Sequence, residues 1–337
     1  MSPASTPRAL CFFLLFFMAF NSHSQRYLSD LDSFHYVKDT IRPFISRFEN
    51  IRISGYMQPQ FQVAQADGAA SFEGGNFSTF SRSRFMLRRA RVKIDYLLLT
   101  KEKFPRALFT FQIDATERGV LVRDMFIRLF ETKNNNFSMT AGLMARPFGF
   151  EVNLGSSYRE APERGRMSQI LLPTERDIGL MVTFEPQLKT HKLSHFKYDL
   201  GFFNGQGLSG VTDFDSHKDL ISRLTIRPYK TGNNEISGGL SILRGGWKQG
   251  TKYVYTSGIA PTGEKTFVVD STPSNLGKSS PRHYYGADIQ YKWKHAHTET
   301  ELRAEYWWGT QPGTSNSTTN PGSLPNLNGV PVPTYVR

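Results

Sequence analysis

Ile51-Arg-Ile-Ser-Gly-Tyr-Met-Gln-Pro-Gln-Phe-Gln-Val63 decides the fold class. Ile51, Ile53, Met57, Phe61 and Val63 share one phase, while Arg52, Ser54, Tyr56, Gln58, Gln60 and Gln62 occupy the other. A strict period of two over thirteen residues is a long strand with one apolar face and one wet face. The same alternation returns about every 23 residues. Arg89, Arg91, Lys93 and Asp95 alternate with Ala90, Val92, Ile94 and Tyr96. Ala107, Phe109, Phe111 and Ile113 alternate with Thr110, Gln112 and Asp114, and Met125, Ile127 and Leu129 with Asp124, Phe126 and Arg128. Further strands are expected at Phe137–Arg146, Asp177–Glu185, Phe196–Asn204, Leu220–Arg227, Ile236–Arg244, His283–Lys294 and Thr298–Trp308. That makes about eleven, most of them longer than globular strands usually run.

Connector length alternates too. Short turns at Thr132–Asn136, Lys230–Asn234 and His295–His297 mark one end of the strands. Long stretches at Ala64–Phe80, Pro147–Glu175, Gly205–His217, Gly245–Pro281 and beyond Gly309 mark the other. A soluble sandwich has no reason for this asymmetry. A barrel in an outer membrane does, because its periplasmic turns are short and its extracellular loops long. Tyr96, Phe130, Phe184, Tyr291, Trp293, Trp307 and Trp308 lie near strand ends, where interfacial girdles belong. The expected fold class is all-β, an antiparallel transmembrane β-barrel.

The first segment agrees with export. Arg8 precedes the apolar run Ala9–Phe20, followed by small residues at Ser22 and Ser24. This reads as a signal peptide over residues 1–24; the run is short for an anchor helix, the competing reading. Residues 25–50 read as a periplasmic lead, and residues 51–337 as the barrel. The single cysteine, Cys11, falls inside the apolar run, so the mature chain has none and no disulfide scaffold is possible. Removing Arg8 leaves 40 basic residues against 29 acidic ones, a net +11.

Eight stretches stand in a fixed order along the chain. The first four are Ile53-Ser-Gly-Tyr-Met-Gln-Pro-Gln-Phe61, Phe85-Met-Leu-Arg-Arg-Ala-Arg91, Val122-Arg-Asp-Met-Phe-Ile127 and Gly142-Leu-Met-Ala-Arg-Pro-Phe-Gly149. Glu163-Arg164, Arg176-Asp-Ile-Gly179, Phe203-Asn-Gly-Gln-Gly207 and Arg223-Leu-Thr-Ile-Arg-Pro228 follow. In motif, order and spacing they resemble the phosphate-selective porin O and P family, over about Ile51–Pro228 and weakly after Gly245. The resemblance implies a homotrimer of sixteen-stranded barrels in the outer membrane of a Gram-negative bacterium, passing small anions, with a constricting loop folded into each lumen. About eleven strands are present here, and the chain lacks the terminal aromatic typical of such barrels. It is therefore expected to be the truncated product of a longer gene; a smaller barrel is the other reading.

If Ile51 opens an upward strand, Pro147–Glu175 is the third extracellular loop, where the resemblance implies the constriction. It carries Arg159, Arg164 and Arg166 among Glu151, Glu160 and Glu163, with Arg146 and Arg176 at its roots. Rings of Arg or Lys are how anion pores select, and the guanidinium fork matches phosphate oxygens. Strand phase adds Arg89, Arg91, Lys93, Arg128, Arg223, Arg227 and Arg303 as a basic lumen track. The competing reading is that these cations are neutralised by lumen carboxylates such as Asp95, Asp124, Glu301 and Glu305. Arg88 falls in the apolar phase, which calls for a headgroup position or a bulge.

The predicted function is an anion-preferring channel, for phosphate or polyphosphate, with membrane lipid as surroundings. A non-conducting surface barrel that binds a partner is the alternative. No enzyme is expected: there is no Gly-x-Ser-x-Gly and no phosphate-cradling Gly-x-x-x-x-Gly-Lys loop. No cofactor, metal site or nucleic-acid partner is expected either, since the His295/His297 pair stands without a carboxylate or Cys cluster and the basic residues are scattered.

Overall fold

The computed structural model describes residues 50–310 apart from 71–74, 162, 189, 206, 208–215, 249–251 and 253, together with 326–327 and 330–331. The expected signal peptide (residues 1–24) and nearly all of the expected lead (25–50) lie outside the described residues.

Eleven strands form one antiparallel sheet in chain order. They are β1 (Ile51–Val63), β2 (Ser83–Leu99), β3 (Pro105–Thr116), β4 (Gly119–Phe130), β5 (Phe137–Ala145), β6 (Arg176–Phe184), β7 (Phe196–Phe203), β8 (Asp219–Thr231), β9 (Asn234–Lys248), β12 (Ser279–Lys294) and β13 (Glu299–Thr310). Each expected strand is present, with ends moved by a few residues. Inside the fourth long connection the chain forms its own hairpin, β10 (Val254–Ile259) with β11 (Lys265–Asp270), which the sequence reading left as loop.

The connectors at one end of the sheet cover 100–104, 131–136, 185–195, 232–233 and 295–298. Those at the other cover 64–82, 117–118, 146–175, 204–218 and 249–278. The asymmetry holds with one exception: β3 and β4 are joined by a tight turn at the long-loop end.

The outward face is apolar through the middle of the sheet. Ile53, Met57 and Phe61 on β1 pair with Ile94, Ala90 and Phe85 on β2. Phe111–Met125, Leu180–Phe202, Leu224–Leu240 and Ile289–Ala304 continue the same face. Ile53 is 70% exposed, Phe85 86% and Leu240 59%. Such rows are unfavourable in water and suited to hydrocarbon. Aromatic pairs border the band at both ends. Tyr96–Phe109 and Phe137–Phe184 lie at the short-turn end; Phe61–Phe85 and Tyr285–Trp308 lie at the long-loop end.

The sheet curls, and the third long loop measures how far. Ser156 of this loop bonds Tyr56 on β1, while the Phe150 amide donates to Glu305 on β13 at 2.8 Å. Six residues span at most about 20 Å. The two edge strands are therefore brought around to either side of one loop, which occupies the concave interior.

Register shifts interrupt the ladder at four places among the described residues, and two of them bring an arginine inward. Gln58 faces Arg89 but Pro59 faces Leu87, so Arg88 is the extra residue of a bulge. Its side chain turns inward to Glu163, which settles the Arg88 question in favour of the bulge. The same event on β4 makes Arg123 the extra residue between Val122 and Asp124.

Candidate functional site

The loop 146–175 leaves β5 at Arg146-Pro147, where proline forbids continuation of the ladder on its own amide. Phe148 then folds inward and packs edge-on against Trp307 of β13 at 4.8 Å. It joins Met144, Val152, Leu172, Met181, Phe203, Ile221, Leu243 and Tyr284 in a buried apolar cluster between loop and inner wall. Ile221, Leu243 and Tyr284 form one continuous row across β8, β9 and β12. At this height the wall is apolar on both faces, which differs from the expected wet lumen. The physical reason is that the loop, not water, covers the inner face here.

Gly149 makes the close approach possible. It holds φ +69°, and a Cβ there would stand 2.3 Å from Glu305 Oε1. Its amide donates to Ser241 Oγ at 3.0 Å. Glu305 accepts from the Phe150 and Glu151 amides at 2.8 and 3.0 Å and from Trp307 Nε1 at 2.7 Å. One carboxylate thus fixes the loop's entry to the last strand of the sheet. Farther along, a short helix, α1 (Arg166–Leu171), is held by Glu151, which accepts from Ser168 Oγ at 2.6 Å.

The loop's exit carries the densest charge. Glu175 lies between the guanidiniums of Arg123, Arg159, Arg164 and Arg176, with Arg159 at 3.0 Å and Arg164 at 3.1 Å. Burial favours the neutral acid, but Arg176, Arg123, Arg164 and Arg159 hold the carboxyl well below the ordinary range. Arg176 also donates to Asp124 at 3.0 Å, and Arg91 to Asp114 at 2.9 Å. Arg91, Arg123, Arg159, Arg164 and Arg176 set five positive charges against four negative ones at Glu175, Asp114, Asp124 and, beside Arg164, Glu151. The cluster keeps one positive charge in excess.

The expected site residues divide by place. Arg89, Arg91, Arg159, Arg164 and Arg176 converge on the loop, with Arg89 on Glu163 at 2.8 Å. Arg164 also donates to the carbonyls of Ser168, Leu172 and Pro173, so it acts as a structural pin; burial lowers its pKa and Glu175 opposes that. Arg166 is exposed on α1. Arg303 joins from β13, bonding Glu301 at 2.8 Å and Glu160 of the loop at 3.0 Å, and lies over the Phe150 ring. Arg146 stands apart in a second cluster, bonding Thr174 and lying near Asp177, Asp219 and Arg282. Burial draws it down to about 10, with Asp177 opposing, so it stays charged at neutral pH.

The remainder line the wall away from the loop. Lys93 pairs with Asp95 at 3.0 Å, Arg128 donates to Thr140 at 3.0 Å, and Arg223 grips Asp288 with both nitrogens at 2.7 and 3.0 Å. Arg227 sits at the short-turn end, where a bulge on β8 turns it to Glu185 and the carbonyls of Pro186 and Ser194. It is distant from the loop in register.

Sequence reasoning missed Arg123, Glu175, Arg282 and Asp219. Arg123 falls out of phase until the bulge is known. Glu175 is a loop boundary by sequence and a hub by structure. Arg282 and Asp219 sit one residue outside the expected strands, although Arg282 shares the inward phase of Tyr284 and Asp288. Among the described residues, no group of three His, Cys, Asp or Glu side chains is placed to hold a metal ion.

The sequence matches no model of a known protein family, and no curated protein is similar to it. Among solved structures, Pseudomonas putida OprB at high pH is similar over 73% of this chain, with 9% identity and a TM-score of 0.48. The chain spans 62% of that protein's length. Two mutants of the Rh. blastica porin are similar over 77% of this chain and 99% of their own, each at 10% identity, with TM-scores of 0.31 and 0.29.

Proposed function

We propose that this chain is an outer-membrane channel protein of a Gram-negative bacterium, a water-filled pore rather than an enzyme, that favours small anions. The observation that carries the reading is the loop 146–175, laid inside an apolar-skinned sheet and ringed by Arg91, Arg123, Arg159, Arg164 and Arg176. Their excess of positive charge supports anion over cation passage, because a positive field in a low-dielectric cleft concentrates anions. Phosphate is the favoured ion on the chemistry of the guanidinium fork, whose two parallel donors suit phosphate oxygens. Ion-paired arginines fit transit better than bare ones would. A passing anion exchanges with a resident carboxylate, so that it enters and leaves without a deep trap. The homotrimer is proposed on the family resemblance.

Reversal potential across a planar bilayer, under a salt gradient with the full chain, tests the reading. Anion bias with block by added phosphate is the expected result. Cation bias removes the selectivity, and absence of any conductance removes the channel. Arg166→Glu reports on the exposed part of the loop, and it should lower the anion bias. Arg164→Glu should instead enlarge conductance, because it releases three carbonyls and Glu175 together.

A further inference from the structure

On the sector formed by β8, β9, β12 and β13, the outward, hydrocarbon-facing register does not stay apolar to its upper end. Along β12 it runs Trp293, Tyr291, Ile289, Ala287, Tyr285 and then His283. Trp293 to Tyr285 is nine residues, the length a tilted strand needs to cross a bilayer. His283 therefore stands about 7 Å beyond the aromatic border along the strand. Directly across the ladder from it is Arg244, and Lys248 lies four residues farther up β9 in the same phase. Lys218, one residue before β8, is two residues above Leu220, which pairs with Arg244. Arg244, Lys248 and Lys218 are exposed. Arg244 leans on the Tyr285 hydroxyl at 3.4 Å, and the Tyr285 ring stacks on Trp308 at 5.7 Å. The half-buried His283 has no hydrogen-bond partner at Nδ1.

Near the long-loop ends of other strands the outward row is Phe61, Val63 and Phe85 on β1 and β2, and Leu143 and Ile178 on β5 and β6. Exposed Arg82 and Arg118 lie at that end as single cations beside β2 and between β3 and β4. Arg244 and Lys248 stand in the outward phase of β9, away from the interior, so they do not line a path for a permeating ion.

We propose that this sector is a binding site for the phosphorylated headgroup of an outer-leaflet lipid. Tyr285 and Trp308 hold the acyl-headgroup boundary, while Arg244, Lys248 and Lys218 meet the phosphates from the strand ends above it. Aromatic rings at the interface and basic side chains reaching to the headgroup level are the two components of such recognition. The guanidinium of Arg244 can present two parallel donors to a phosphate, and the three cations together favour a headgroup of net negative charge over a zwitterion. The proposal rests on the membrane location given above, and it does not depend on the loop or on anion preference.

The test is native mass spectrometry of the full chain released from micelles containing lipid A, dephosphorylated lipid A or phosphatidylcholine, with bilayer conductance recorded in parallel. Lipid A should be retained over the other two. Arg244→Gln combined with Lys248→Gln should reduce that retention, about fivefold for each cation removed, and leave conductance unaltered. Equal retention of all three lipids overturns the site, as does unchanged retention by the double variant. Displacement of lipid A by millimolar inorganic phosphate also overturns it, because the sector would then hold a free anion. Loss of conductance with lipid A retention intact overturns the channel reading and leaves this one standing.

Discussion

Glu175 stays ionised because four guanidiniums surround it. A carboxyl whose folded pKa is depressed contributes stability above its unfolded pKa, near 4.3, and loses it only as pH falls through the lower folded value. Lowering the pH from about 7 to about 5 should therefore leave the loop anchored and the single-channel conductance nearly constant. Glu175→Gln, which removes the charge at any pH, should produce a noisier and larger conductance at pH 7, readable in the same recordings. Arg223 and Asp288 form a second residue-scale unit, a forked pair with the Asp288 side chain fully enclosed and flanked by Ser241 and Gln290. Arg223→Met strands a buried carboxylate and should cost about 3–5 kcal/mol in urea unfolding. Arg223→Met with Asp288→Leu should recover most of that loss.

At the scale of elements, the strands were legible because one face meets hydrocarbon and the other does not, so the period of two survives almost unbroken from Ile51 to Trp308. What escaped is local. Arg88 and Arg123 enter the interior only because each is the extra residue of a bulge, and alternation alone assigns such residues to the wrong face. The hairpin β10–β11 was hidden because Val254–Ile259 and Lys265–Asp270 are short and mix polar with β-branched residues without a clear period of two. Charge placement in the loop was legible as composition, but its partners were not. Arg164 reads by sequence as a filter residue and acts in the structure as a pin. The outward face makes its own prediction: Leu240→Lys, at mid-strand on β9, should cost about 2–4 kcal/mol in refolding into bilayers. Ser237→Lys, on the opposite face, should cost much less in the same titration.

For the whole molecule, the sheet and its interior loop form one mechanical unit. Glu305 and Gly149 tie the loop to β13, and Tyr56 and Ser156 tie it to β1. Gly149→Ala adds a Cβ that would overlap Glu305 Oε1 at a left-handed φ. It should free the loop from β13, raise conductance and expose the 146–175 segment to trypsin, without altering β content by circular dichroism.

This tie joins positions far apart in the chain: Tyr56 to Ser156 across 100 residues, and Phe150 to Glu305 across 155. Bringing such distant partners together is what slows assembly, because the chain loses its freedom before the contacts are made. The first and last strands can be drawn toward each other only after the segment between them has found its seat. Weakening that seat should lengthen the insertion half-time in lipid more than it lowers the final yield.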